Sequence, residues 1–127
     1  AYCGESDTAC HAHCGKTERN APMYEPGGIA YIYLCYGMHN LLNVVTGPKD
    51  YPEAVLIRGA EGAIGPGRVT KFLHIDRTLN REPLATSRQL WIEDDGTKPP
   101  RFKSTPRIGI AYATKRDQNR KWRFVIY

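Results

Sequence analysis

The sequence predicts a mixed α+β fold, a single domain built on an antiparallel β-sheet with a few helices. Three observations carry this. Segments rich in aromatic and β-branched residues outnumber segments with helical signals. Most of those strand-like segments are joined by short turns. Strands and helices do not alternate regularly, which argues against a doubly wound parallel sheet. The 127 residues suit one compact domain with a modest core, and no repeat, linker or low-complexity tract divides them.

The elements follow in order. Ser6-Asp7 reads as a helix start that leads through Thr8, Ala9, Cys10 and His11, with Gly15 as its stop. Pro26-Gly27-Gly28 is a turn. Ile29 to Tyr36 reads as a strand broken by Gly37, Leu41 to Val45 as a second and Ala54 to Arg58 as a third. Gly65-Pro66-Gly67-Arg68 opens a helix predicted over Val69 to His74, with proline in its first turn. A short strand is expected around Leu90-Trp91-Ile92, closed by Glu93-Asp94-Asp95-Gly96. Ile108 to Ala111 and Trp122 to Tyr127 read as two more strands.

The net charge of +5 is unevenly spread. From Pro99 to Tyr127 there are eight basic residues against one acid, Asp117, so this end carries the charge and the rest is slightly acidic. A basic end on such a body fits a phosphate-rich partner bound on one basic face, and also fits a solvated basic surface. Cys3, Cys10, Cys14 and Cys35 are not spaced as a disulfide framework, so reduced thiols are expected. No signal peptide pattern or membrane-length apolar run is present.

Tyr31-Ile32-Tyr33-Leu34-Cys35-Tyr36 alternates tyrosines with apolar residues. Period two puts Tyr31 and Tyr33 on one face, and Ile32, Leu34 and Tyr36 on the other. Such aromatic faces stack on bases, and they are also ordinary strand residues.

The longer run Pro26 to Asn43 resembles the signature of the alkyladenine (3-methyladenine) DNA glycosylases: a proline-glycine turn, an aromatic strand, the corner Tyr36-Gly37-Met38, then an asparagine. Ala1-Tyr2-Cys3-Gly4 with His11 is similar to that family's Ala-Tyr-x-Gly segment and downstream histidine. Arg58 in Val55-Leu56-Ile57-Arg58, Gly65-Pro66-Gly67-Arg68 and Arg107-Ile108-Gly109-Ile110 match three further motifs in the right order.

The resemblance implies a monofunctional repair glycosylase. It flips an alkylated or deaminated purine, hypoxanthine included, from duplex DNA and hydrolyses its N-glycosylic bond. The expected partner is double-stranded DNA, bound by a monomer without cofactor or membrane, in the cytoplasm at the bacterial nucleoid or in a nucleus. Tyr2 and His11 resemble residues that hold the flipped base, with Tyr33 on its other face. Asn43 resembles an amide that rejects guanine by clashing with its amino group. Tyr36 resembles the wedge that fills the gap in the duplex. Arg58 and the carbonyl of Ile110 resemble groups that position water, and Arg68 stands where the family has a phosphate-binding lysine. Arg120 and Lys121 are expected on DNA by their charge. Each residue alone reads otherwise: Asn43 as a polar strand residue, His11 as a helix-surface histidine, Arg58 as an ion-pair partner, Arg68 as solvated.

Stacked tyrosines favour an electron-poor or cationic purine through the negative faces of their rings. A wedge offsets part of the few kcal/mol lost on unstacking. Hydrolysis needs a carboxylate to activate water, and the resemblance places that glutamate immediately before Ala1. The segment Gly59 to Ile64 is shorter than the family's partly helical insert. The chain is therefore expected to lack N-terminal, internal and C-terminal portions of the family domain. Two other readings are a lesion-binding fragment that does not cut, and a metal-binding nucleic-acid module. The latter rests on Cys10-His11-Ala12-His13-Cys14, whose ligand types suit zinc but whose spacing lacks a second pair. An RNA-binding module finds no RRM or KH signature.

Overall fold

The computed structural model describes all of residues 1–127. Four strands make the principal sheet: β1 (Tyr2–Cys3), β2 (Ala30–Cys35), β3 (His39–Val45) and β4 (Glu53–Leu56). Their spatial order is β1-β4-β3-β2, and every pairing is antiparallel. The mixed α+β class with antiparallel sheets is thus the observed one.

The β2–β3 hairpin sets the register of the sheet. Tyr31 stands opposite Asn43, Tyr33 opposite Leu41 and Cys35 opposite His39. The three-residue link Tyr36-Gly37-Met38 closes it, with both Tyr36 and Gly37 at positive φ (53° and 65°). Glycine adopts that conformation freely, whereas a tyrosine rarely does. Tyr36 is 89% exposed and Met38 75%, so the hairpin tip projects two large apolar side chains into solvent.

The two faces of the sheet carry separate cores, as the two-residue period requires. On one face Tyr31, Val45 and Ala54 pack with Cys10, Ala12, Met23 and Tyr24. On the other, Ala30, Ile32 and Leu42 pack with Ile75 and Leu84. A smaller cluster joins Ala9 to Ile110 and Ala113, with Tyr2 against it.

Beyond β4 come the short hairpin β5 (Gly59–Ala60) and β6 (Ala63–Ile64), then helix α1 (Pro66–Phe72). The Thr70 hydroxyl donates to the Asn40 carbonyl at 2.6 Å and so ties α1 to β3. The last part holds β7 (Phe102–Thr105), the single turn α2 (Lys115–Gln118) and β8 (Arg123–Ile126). Strands β7 and β8 pair only with each other. No helix is long and apolar enough to cross a membrane.

Several elements differ from expectation. The segment from Ser6 to His11 is a run of turns, not a helix. The Asp7 carboxylate accepts from the Cys3 and Ala9 amides, both at 3.1 Å, and binds Arg107. A side chain that captures nearby amides in this way competes with helix formation. No strand forms at Leu90-Trp91-Ile92. Ile92 meets Leu84 by one backbone bond of 2.9 Å, and Trp91 and Ile92 stay exposed. Ile108 to Ala111 is bent, with Gly109 at φ 75° and the Ala113 amide closing a turn on the Ile110 carbonyl. Helix α1 starts earlier than expected and stops before His74, which has φ 55°. Strand β7 and helix α2 were not expected.

Candidate functional site

A groove of about 1000 Å³ opens beside the aromatic face of the sheet. One wall is the β2–β3 hairpin, which supplies Tyr31, Tyr33, His39, Leu41 and Asn43, with Tyr36 at its end. Tyr31 and Tyr33 share this face because they are two residues apart, and their ring centroids lie 5.5 Å apart. Asn43 joins them because it pairs with Tyr31 across the ladder. It is buried, and its amide donates to the Tyr31 carbonyl at 3.2 Å.

The facing wall is mostly irregular chain, with Tyr2 on the short edge strand β1. Tyr2 and His11 come from the N-terminal segment, while Ile108, Gly109 and Tyr112 come from the bend before α2. The His11 ring lies 4.4 Å from that of Tyr33, and its Nδ1 is hydrogen-bonded to the Tyr31 hydroxyl at 3.2 Å. Crowding takes this imidazole partly out of water and lowers its pKa, and the nearby Arg19 guanidinium lowers it further. His11 is therefore neutral at neutral pH, able to donate from one nitrogen and accept at the other. Burial pushes the Tyr31 hydroxyl up to about 12 and raises that of Tyr33 as well, so both stay protonated.

A buried charge cluster holds this second wall. Arg107 forks onto Asp7, with Nη1 to Oδ2 at 2.6 Å and Nη2 to Oδ1 at 3.0 Å. Nη1 also donates to the Ala1 carbonyl (3.0 Å) and Nη2 to the Asp117 carbonyl (3.1 Å). The guanidinium lies between the rings of Tyr2 and Trp122, at 5.2 and 5.0 Å. Burial alone would raise the Asp7 carboxyl, but Arg107 and the amides of Cys3 and Ala9 outweigh it and hold the pKa low. Asp117, fully buried, accepts from the Thr8 hydroxyl and amide and from Thr114, which holds its pKa far below the usual range. The Tyr112 hydroxyl donates to the Ala9 carbonyl at 2.8 Å and fastens the bend to the His11 segment.

The groove brings together Tyr2, His11, Tyr33, Tyr36, Asn43, Arg58 and Arg68. Ile110 is buried just behind Ile108 and Gly109, and its carbonyl receives the Ala113 amide. Arg58 donates to the Ile108 carbonyl at 2.9 Å. Arg120 and Lys121 lie outside the groove. Arg120 pairs with Asp117 at 3.1 Å and covers the Trp122 ring at 4.3 Å, whereas Lys121 is exposed. Among the lining residues, Arg19 and Tyr112 lay outside every motif of the sequence reading, and His39 and Ile108 lay inside motifs without being given a role. A Cβ on Gly67 would lie 3.0 Å from the His39 ring, so the glycine after Pro66 lets α1 approach β3.

The cysteine-histidine run does not converge. His11 faces the groove, His13 bonds the Glu5 carbonyl at 2.8 Å, Cys10 is buried with its thiol pushed up to about 11, and Cys14 is exposed. No three His, Cys, Asp or Glu side chains are placed to hold a metal ion.

The model of methylpurine-DNA glycosylases matches residues 1–64 and 60–127, the whole chain in two segments. The chain belongs to that family. A relative from Psychrobacter cryohalolentis, named "Putative 3-methyladenine DNA glycosylase", is 45% identical over 138 residues, covering 89% of this chain and 65% of the relative. Relatives of the same name from Borrelia garinii and Methanocella arvoryzae are 43% and 41% identical, covering 99% and 98% of this chain and 74% and 71% of theirs. The chain thus spans about two thirds to three quarters of these glycosylase relatives. The two segments of the family match meet at residues 60–64, where β5 turns into β6.

Proposed function

We propose that the groove receives a damaged purine flipped out of duplex DNA and is the site where its N-glycosylic bond is hydrolysed. The observation that carries this is the convergence of Tyr2, His11 and Tyr33 around Asn43, beside an exposed hairpin tip. Stacking on Tyr33 or Tyr2 replaces part of the stack the base leaves, and the His11 ring, 4.4 Å from that of Tyr33, has to move aside for a base to lie between those two. Each such contact is worth roughly 1–3 kcal/mol. Neutral His11 meets the purine edge as a hydrogen-bond partner. Asn43 is fixed by its bond to the Tyr31 carbonyl, so its amide does not swing away from an oversized base. This suits rejection of guanine by clash.

Tyr36 is the wedge. The positive φ at its own position holds it at the tip, and its exposed ring is free to enter the duplex. Arg68, exposed on the groove rim, suits a phosphate flanking the flipped nucleotide. Arg58 orders the bend that carries Ile108 to Ile110, and the family resemblance gives it a part in positioning water. No carboxylate lines the groove. Glu5 accepts from the Tyr24 hydroxyl at 2.7 Å, and Asp7 is committed to Arg107. This agrees with a general base contributed by a glutamate immediately before Ala1.

The test is equilibrium binding of the chain to duplexes that differ at one position, with adenine, hypoxanthine or ethenoadenine. The lesion duplexes are expected to bind about tenfold or more tightly, with no effect of chelator. Equal affinities would remove the reading. In a form carrying the glutamate, a borohydride-trapped protein–DNA adduct would contradict single-step hydrolysis.

A further inference from the structure

The two tyrosines would by themselves favour a positively charged purine, but the groove already contains cations. Arg19, Arg58 and Arg68 line it and no aspartate or glutamate does. Arg19 is the one placed on the stacking surface. Its guanidinium carbon lies 5.4 Å from the centre of the Tyr33 ring. Its Nη2 donates to the Leu34 carbonyl at 2.7 Å, so the side chain is tethered to the strand that carries Tyr33.

We infer that Arg19 is a charge discriminator: it holds a fixed positive charge against the Tyr33 ring and thereby disfavours cationic N-alkylated purines relative to neutral lesions. This rests on the reading that the groove takes a flipped purine. The logic does not depend on which face of Tyr33 the base takes. On the same face, base and guanidinium compete for one ring. On the opposite face, the ring is already polarised by Arg19, and the two charges repel through it. Neutral bases such as hypoxanthine or ethenoadenine meet at most the competition for the ring face and not the charge repulsion, so the difference between cationic and neutral lesions comes from charge alone. The lowered pKa of His11, to which Arg19 contributes, is the same field acting on a neighbouring group. Arg19 is exposed, so water screens the effect and its size is modest.

The experiment compares duplexes carrying 7-methylguanine, whose imidazole ring bears a fixed charge, or hypoxanthine at the same position. Binding is measured for the unaltered chain, Arg19→Gln and Arg19→Lys. Arg19→Gln is expected to raise affinity for the cationic lesion relative to the neutral one about two- to fivefold. Arg19→Lys, which keeps the charge, should stay close to the unaltered chain. Arg19→Gln should also move the His11 titration upward by NMR, a readout that needs no DNA. An unchanged affinity ratio in Arg19→Gln overturns the inference even if both lesions bind well. Lesion and undamaged duplexes bound alike would overturn the inference and the proposed function together. Because Arg19 makes one hydrogen bond to the protein and is exposed, neither variant threatens the fold.

Discussion

The two walls of the groove are built by different means. The β2–β3 wall is regular: six residue pairs in unbroken register deliver Tyr31, Tyr33, Leu41 and Asn43 to one face. The opposing wall has almost no regular structure, and Tyr2, His11 and Ile108 are held there by a buried ion pair and side-chain caps. Asp7 and Arg107 are 100 residues apart in sequence, and Thr8 and Asp117 are 109 apart. One wall depends on backbone pairing and the other on two carboxylates. Substitutions should therefore divide by wall: those in the clasp change stability first, and those on the hairpin change recognition first.

The largest effect is expected at the clasp. Arg107→Met leaves Asp7 buried without its partner, and losing one member of a buried pair costs about 3–5 kcal/mol. Urea unfolding measures this, and a loss below ~1 kcal/mol would mean the clasp does not hold the second wall. The sign with pH follows from the depressed pKa. Asp7 titrates below its ordinary value of 3.8 in the folded chain. Its contribution is complete above that value and is lost as pH falls through the folded pKa. Asp117 has the same sign. Acid unfolding should therefore set in below about pH 4, and Asp7→Asn should be destabilised at neutral pH while losing part of that acid dependence.

On the hairpin wall, Tyr33→Ala is expected to weaken lesion binding roughly tenfold or more while lowering stability less than Arg107→Met does. The comparison fails if Tyr33→Ala unfolds the chain as readily as the clasp variant. Asn43→Ala should relax discrimination against guanine by about tenfold, read as the ratio of guanine to hypoxanthine binding. A ratio that does not change removes Asn43 as gatekeeper.

The smallest effects lie outside both walls. If Lys121 contacts one phosphate, Lys121→Gln should reduce the slope of log affinity against log salt by about 0.9. Arg120 is half engaged by Asp117 and Trp122. Arg120→Gln should therefore change the slope less and stability more. Equal slopes in the two variants would mean that the ion pair with Asp117 does not compete with DNA.

How much of this could be read beforehand differs by wall in the same way. Period two on Tyr31 and Tyr33, glycine at the corner and proline at the start of α1 are local signals, and the hairpin, the presence of a helix after Gly65 and the aromatic face followed from them. Asn43 joins that face through register, which its spacing from Gly37 implies. The helix expected from Ser6 was overturned because Asp7, which reads locally as a cap, bonds to Arg107 at the far end of the chain. The strand expected at Ile108 failed at Gly109, whose positive φ bends the chain; an isolated glycine inside a strand pattern is itself a local signal for such a bend. Arg19 and Tyr112 were missed because exposed residues in irregular chain carry no periodic signal. Ordered motifs pointed to the family, but no motif reports that Arg58 meets the carbonyl of Ile108.

We propose that these walls form a pocket for a flipped purine, and no carboxylate among the groove residues is placed to act as general base. The most direct measurement places a single glutamate before Ala1 and follows release of hypoxanthine from duplex DNA, with glutamine at that position as the control. The glutamate form should excise the base at least 10²-fold faster than the glutamine form. Both should bind the lesion duplex equally, because stacking on Tyr2 and Tyr33 needs no acid. Equal excision by the two forms would place the base elsewhere and contradict the account.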